Sequence, residues 1–311
     1  MIINMHSHLI HRNMWSEHFW DSSVKIFSKS MNIAADLLIN TMLPQMTSAN
    51  AERYVNALDE AGIDKGLVTG IDFGLSAAGE AKWSVEELNS WVASEIAEYP
   101  DKLYGLCGVD PRRGERAIKL VEKAINEWGM KGVKFYPPCG FYPNDPGFFP
   151  FYEKCIELDV PIFSHTAVYV PPLMEGIFGD PIYLDSVAAK FPDLKIVLVH
   201  LGGESWVHQA IEIIMARPNV FGEISGQQVR MLTDPKKLVK ILKRFFLGPG
   251  LLNDKIMFGT DWPLLEGDIT DKQYLERFKQ LPETAQEYGI NFKRSDIRKF
   301  LGKNAMKLLK L

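Results

Sequence analysis

Cysteine is scarce in this chain of 311 residues: only Cys107, Cys139 and Cys155 occur. An odd, sparse set cannot build a disulfide framework and suits a reducing compartment. Excess positive charge is missing as well. Lys and Arg number 35 against 39 Asp and Glu, a net charge of −4, whereas holding nucleic acid or anionic lipid by bulk charge needs a concentrated basic face. No apolar run approaches the roughly 20 residues of a membrane-spanning helix. The opening MIINMHSHLI has no positive n-region ahead of its apolar residues, as a secretory leader would. Internal repeats, low-complexity tracts and linkers are absent too. These gaps predict a soluble, cytoplasmic protein with neither nucleic acid nor membrane as partner. The remainder, 46% hydrophobic and 24% charged, is ordinary for a globular chain.

Eight short β-rich runs recur, at residues 2–5, 65–71, 103–109, 132–136, 160–164, 195–199, 220–224 and 255–259. Between them lie stretches with apolar residues at three- and four-residue spacing, as in Ile118, Val121, Ile125 and Trp128. These stretches cover 51–61, 85–98, 114–128, 149–158, 183–191, 206–215 and 235–245. Strands alternating with helices predict βαβ units and a parallel sheet. Residues 295–311 add a closing helix behind Ser295 as N-cap. The count predicts an α/β chain folded as a (β/α)8 TIM barrel, one domain over residues 1–311. The alternative, an open doubly wound sheet, usually carries a Gly-rich first turn; here that turn is His6-Ser7-His8.

Long βα-loops follow strands 1, 4 and 5. The first, 9–50, holds Met14, Trp15, His18, Phe19, Trp20, Phe27 and Met31, and the loop over 137–150 reads PPCGFYPNDPGFFP. On a barrel such loops build the active-site face.

Four of the seven histidines fall at predicted strand ends. His6 and His8 share one face of strand 1, because side chains at i and i+2 point the same way. His165 ends strand 5, His200 ends strand 6, and Asp261 stands at the same height after strand 8. Taken singly, each has a plain structural use, as a buried imidazole or a helix cap. As a set placed directly after strands they form a nitrogen and oxygen site suited to Zn2+ or a similar ion. His11, His18 and His208 lack that placement and read as ordinary residues.

These motifs resemble the amidohydrolase superfamily, and within it the amidohydrolase-2 branch of aminocarboxymuconate-semialdehyde decarboxylase-like enzymes. The likeness rests on H-x-H after strand 1, His after strand 5, H-L-G-G after strand 6 and G-T-D-x-P after strand 8. The closing KFLGKNAMKLLKL is similar to that branch's G-x-N-A-x-x-L. The resemblance implies one divalent ion, Zn2+ first, held by His6, His8, His165 and Asp261 with a place left for water. It implies His200 as acid/base and Asp261 as acceptor of the water's proton. Such an ion brings the pKa of bound water to about 7. Lys134 lies in strand 4, where binuclear members carry a carboxylated Lys bridging two ions; a second ion is therefore the alternative. Otherwise Lys134 stays an ammonium, facing a substrate carboxylate or a buried acid such as Glu223.

Other substrate-facing candidates are Arg12 and Arg230 for an anionic group, with Trp15, Tyr136, Phe141, Tyr142, Tyr169 and Trp262 as pocket walls. Glu204 reads as support for His200 or as a helix start, and Cys139 as a mouth residue but not a ligand. The leading expectation is hydrolysis of an ester, lactone or amide bond in a small, carboxylated molecule by metal-activated water. Non-oxidative decarboxylation of an aromatic or muconate-type acid uses the same residues and is the alternative. A catalytically inactive binding barrel is the third reading, against which the intact ligand set counts. The Met- and aromatic-rich 14–31 segment reads as a lid or as the cover of a homodimer interface.

Overall fold

In the computed structural model, which describes residues 1 to 311 except 249, 251 and 268, all eight expected strands are present. They are β1 (Ile3–His8), β2 (Lys65–Thr69), β3 (Leu103–Gly108), β4 (Val133–Phe135), β5 (Ile162–His165), β6 (Ile196–Val199), β7 (Val220–Glu223) and β8 (Ile256–Met257). They form one parallel sheet in chain order. Its two edges meet: Met5 N donates to Phe258 O at 3.0 Å, Asp261 N to His6 O at 2.8 Å and His8 N to Trp262 O at 2.7 Å. The chain is a (β/α)8 barrel. β1 runs to His8 rather than stopping at residue 5, because its last residues gain these partners from the end of β8.

Strands buried on both faces read as continuous Val, Ile, Leu and Phe runs, as a parallel barrel requires. The lower interior is apolar. Ile3, Met5, Leu67, Leu106, Phe163, Val197, Val199 and Met257 pack there against Ala305, Leu308 and Leu309 of the tail. The tail thus plugs the bottom of the barrel, and chemistry is left to the upper end.

The outer helices over Ala51–Ala61, Val85–Ala97, Glu115–Asn126, Phe149–Glu157, Ile182–Lys190, Val207–Ala216 and Pro235–Phe246 match the seven expected segments within two residues at each end. Local caps explain several boundaries. Asn50 accepts from Arg53 N and Gly62 ends that helix at φ 72°, while Ser84 and Glu87 form a reciprocal capping box. The tail departs from expectation. It starts at Arg294 without a side-chain cap and passes through a π-helical turn, Lys299–Lys303. The 9–50 connection folds into helices Glu17–Met31, Ala35–Asn40 and Met42–Thr47, the first burying Phe19, Trp20 and Val24. No helix among the described residues is long and apolar enough to cross a membrane.

Loops around the upper rim are stitched by buried ion pairs. Arg113 grips Asp72 with Nε–Oδ2 2.6 Å and Nη2–Oδ1 2.8 Å, and Arg112 joins Asp110 to the carbonyl of Cys139. A bidentate guanidinium fixes angle as well as distance, so the β2, β3 and β4 loops hold a common shape.

Candidate active site

β1 carries a bulge between Asn4 and Ser7, with one more residue than β2 opposite it. A bulge frees a ladder N–H and re-aims the side chain beside it. Here the freed N–H of His6 donates to Asn4 Oδ1 at 3.2 Å. The same oxygen accepts Thr260 N at 3.0 Å, and Asn4 Nδ2 donates to Thr260 Oγ1 at 2.7 Å. One amide thus locks the bulge to the segment bearing Asp261. Asp261 itself sits at φ 60° and His200 at φ 69°. For non-glycine residues this conformation costs on the order of 1–3 kcal/mol, and such strain gathers at functional sites.

The result brings distant groups together. Asp261 Oδ1 is 3.1 Å from His8 Nε2 and 3.7 Å from His6 Nε2. Lys134 Nζ lies 2.8 Å from His6 Nε2. Ser225 Oγ contacts His6 Nδ1 at 3.0 Å, His200 Nδ1 at 2.9 Å and Glu223 Oε2 at 2.7 Å. His165 stands against His200 with ring centroids 4.7 Å apart, and its Nε2 meets Ala167 O at 3.2 Å. All these side chains are buried.

Burial governs their charge. It holds the His6 and His200 imidazoles well below their usual range, helped at His6 by Lys134 and at His200 by His165. Burial and then Lys134 push His165 down to about 3. All three rings are therefore neutral near pH 7, the form in which an imidazole offers a lone pair. Burial also lowers Lys134, opposed by Asp261 and Glu223, and raises Glu223, opposed by the Ser225 hydrogen bonds.

Two residue groups have ligand atoms close enough to share a cation: His6, His8 and Asp261, and His6, His200 and Glu223. They differ chemically. In the first, Asp261 Oδ1 and His8 Nδ1 are buried without a hydrogen-bond partner among the described residues. An unpartnered buried carboxylate oxygen is costly unless a cation meets it, and two imidazoles with one carboxylate suit a borderline divalent ion. This group fits a metal. In the second, all three atoms already converge on the Ser225 hydroxyl, which serves them as a hydrogen-bond centre. His165 stands outside both groups.

The proposed substrate contacts divide by position. Lys134 is central, and the Tyr136 ring lies 4.6 Å from His165. Arg230 is buried, with Nε donating to Glu204 Oε1 at 3.1 Å and Nη1 to Gln227. Arg12 pairs with Glu17 and lies over the Trp20 ring. Trp15 stacks on Phe73 and donates to Ile71 O, Trp262 lies tilted against Tyr54, and Phe141 packs between Phe148 and Arg112. Tyr169 is 79% exposed, and Tyr142 packs on Tyr183. Cys139 is buried beside Met174.

Sequence reasoning missed Ser225, Asn4 and Thr260. A usable signal existed for one of them. Glu223 and Ser225 are two residues apart at a strand end, the same period that marked His6 and His8.

Comparison with known proteins bears on this arrangement. The amidohydrolase family pattern matches residues 3–311. A 2-amino-3-carboxymuconate-6-semialdehyde decarboxylase of Dictyostelium discoideum is 23% identical over 249 residues, 71% of this chain and 67% of that protein. A 2-keto-4-carboxy-3-hexenedioate hydratase of Sphingobium sp. is 29% identical over 135 residues, 37% of this chain and 39% of that one. Among solved structures, a dihydroxybenzoic acid decarboxylase from Polaromonas sp. JS666, with bound manganese and the inhibitor 2-nitroresorcinol, superposes with a TM-score of 0.68. Its identity is 18%, over 100% of this chain and 97% of that one.

Proposed function

The chain belongs to the amidohydrolase family, in its amidohydrolase-2 branch, and from that premise we propose that it is a metal-dependent carboxy-lyase removing CO2 from a small aromatic or muconate-type acid. The observation that carries this reading is the buried meeting of His6, His8 and Asp261 with Lys134 at one barrel mouth. The mouth sets two carboxylates, Asp261 and Glu223, beside the Lys134 side chain, and a divalent ion would add two positive charges there. A buried site holding such an ion beside Lys134 would favour a carboxylated molecule. The sequence alone favoured hydrolysis; the relative aligned over most of the chain, a decarboxylase, shifts the preference to the carboxy-lyase alternative.

His6, His8, His165 and Asp261 would hold one divalent ion of the Zn2+ or Mn2+ type, which when bound supplies a Lewis acid for a substrate oxygen. His165 would take part through Nδ1, the nitrogen left with a lone pair when Nε2–H donates to Ala167 O. Lys134 Nζ and Arg230 are the buried cationic donors for substrate carboxylate or phenolic oxygens, and Tyr136 offers an aromatic face. Decarboxylation needs a proton delivered to the carbon that loses CO2, whose bonding electrons stay with the substrate. Water supplies that proton, and Asp261 Oδ1 or His200 Nε2, each entering with a lone pair, takes it up and passes it to the carbon. His200 Nδ1 is engaged by Ser225, which leaves Nε2 to face a substrate.

The test is an assay of protein stripped of metal and reloaded with Zn2+ or Mn2+. Dihydroxybenzoates and carboxymuconate semialdehydes are followed for CO2 release, and a lactone panel for ring opening. Metal-dependent CO2 release supports the proposal, and lactone opening without CO2 release from any acid overturns it in favour of hydrolysis.

A further inference from the structure

β7 ends at Glu223 and the chain runs on through Ile224-Ser225-Gly226, where one hydroxyl has three partners: Glu223 Oε2, His6 Nδ1 and His200 Nδ1. A serine hydroxyl has one proton and two lone pairs, so three neighbours use its capacity completely. Glu223 is held as an acceptor. Its Oε1 takes the backbone N–H of Ser225 and its Oε2 that of His200 at 3.4 Å. The hydroxyl proton therefore goes to Glu223, both lone pairs remain for the imidazoles, and each ring must donate from Nδ1.

We propose that Ser225 is a positioning residue that sets both His6 and His200 in the Nδ1–H tautomer, so that each ring keeps its lone pair on Nε2. The inference rests on the reading of this mouth as a metal-dependent active site, where His6 is a ligand and His200 the proton carrier. It binds those two roles to one atom.

An independent contact agrees. Lys134 Nζ lies 2.8 Å from His6 Nε2, and an ammonium can only donate, so that nitrogen is the one without a hydrogen. The surroundings are shaped to the same end. A Cβ on Gly226, whose φ is 81°, would stand 3.3 Å from His200 Nδ1, and one on Gly259 would stand 2.2 Å from Glu223 Oε1. Two glycines thus leave room for the ring and for the carboxylate. Partners on the far nitrogen of a ligating histidine orient the ring and raise its basicity, and losing them typically costs about 10–100-fold in metal affinity.

The experiment reads the tautomers of the metal-free protein by long-range 15N–1H correlation of the imidazoles, and then titrates Zn2+. Wild type should show Nδ1–H at both His6 and His200. Ser225→Ala should return His200 toward the Nε2–H form that free histidine favours and weaken Zn2+ binding about 10–100-fold, while Ser225→Thr, which keeps the hydroxyl, restores the wild-type tautomer. An Nε2–H signal at either ring of wild type overturns the proposal, and so does Ser225→Ala with His200 still fully Nδ1–H. Because tautomers are read without metal and without turnover, this outcome is separable from failure of the carboxy-lyase reading.

Discussion

Lys134 Nζ faces His6 Nε2 across 2.8 Å, so an ammonium occupies the lone pair that a cation would use. The two compete. Removing the ammonium with Lys134→Met should raise Zn2+ affinity about tenfold, the equivalent of about 1.4 kcal/mol, while reducing turnover of carboxylated substrates. Isothermal titration of the metal-free proteins checks the first point. A fall in affinity would instead identify the lysine, through its carbamate, as a ligand.

Gly259 stands where a Cβ would lie 2.2 Å from Glu223 Oε1. Gly259→Ala must push that carboxylate away from Ser225. Overpacking of this kind typically costs about 1–3 kcal/mol, so Tm should fall and Zn2+ binding weaken together. Calorimetry showing wild-type Tm and affinity would contradict this role for Gly259.

His165 is the ligand candidate that stands outside the His6, His8 and Asp261 group. Its Nε2 is committed to Ala167 O, and Nδ1 is the nitrogen left for a metal. His165→Ala should therefore cost Zn2+ affinity as much as His8→Ala does, beyond the roughly 10–100-fold typical of a residue that only orients a ligand. A loss below tenfold would remove His165 from the ligand set.

Asp271 is buried behind the site, accepting from Thr260 Oγ1 at 3.0 Å, and burial pushes its carboxyl up to about 7 from 3.8. Between those values the folded state keeps a proton that the unfolded chain has released, so this residue's contribution to stability falls as pH rises. Asp271→Asn cannot ionise. Its Tm relative to wild type should climb from pH 4 to about pH 7 and then level off. A pH-independent difference would place the folded-state titration of Asp271 near its ordinary range.

Much of the architecture was legible because it is written in short-range pattern. Runs such as Ile196–Val199 and Val220–Glu223 announce buried parallel strands, and the spacing of Ile118, Val121, Ile125 and Trp128 announces a helix, although the face it buries runs through Ala117, Leu120, Val121 and Ala124. The strand-end histidines were legible for the same reason, since a barrel carries every strand's C-terminal end to one rim. The tail's beginning at Arg294 was not, because no side-chain cap marks it. Trp15 and Phe141 show a related limit: an aromatic in a rim loop can face a substrate or pack inward, and composition does not distinguish the two.

What the amino-acid order determined alone was the alternation of elements and the height at which His6, His8, His165, His200 and Asp261 emerge. Which atoms meet was decided only by closure of the barrel. Ser225 touches His6 across 219 positions of chain, Asn4 reaches Thr260 across 256, and Gly259 is small for the sake of a carboxylate on the neighbouring strand. A period can mark which face a residue takes, as at Glu223 and Ser225, but not the partner it meets, because a hydrogen bond depends on where two backbones finally stand and not on the residues flanking either one.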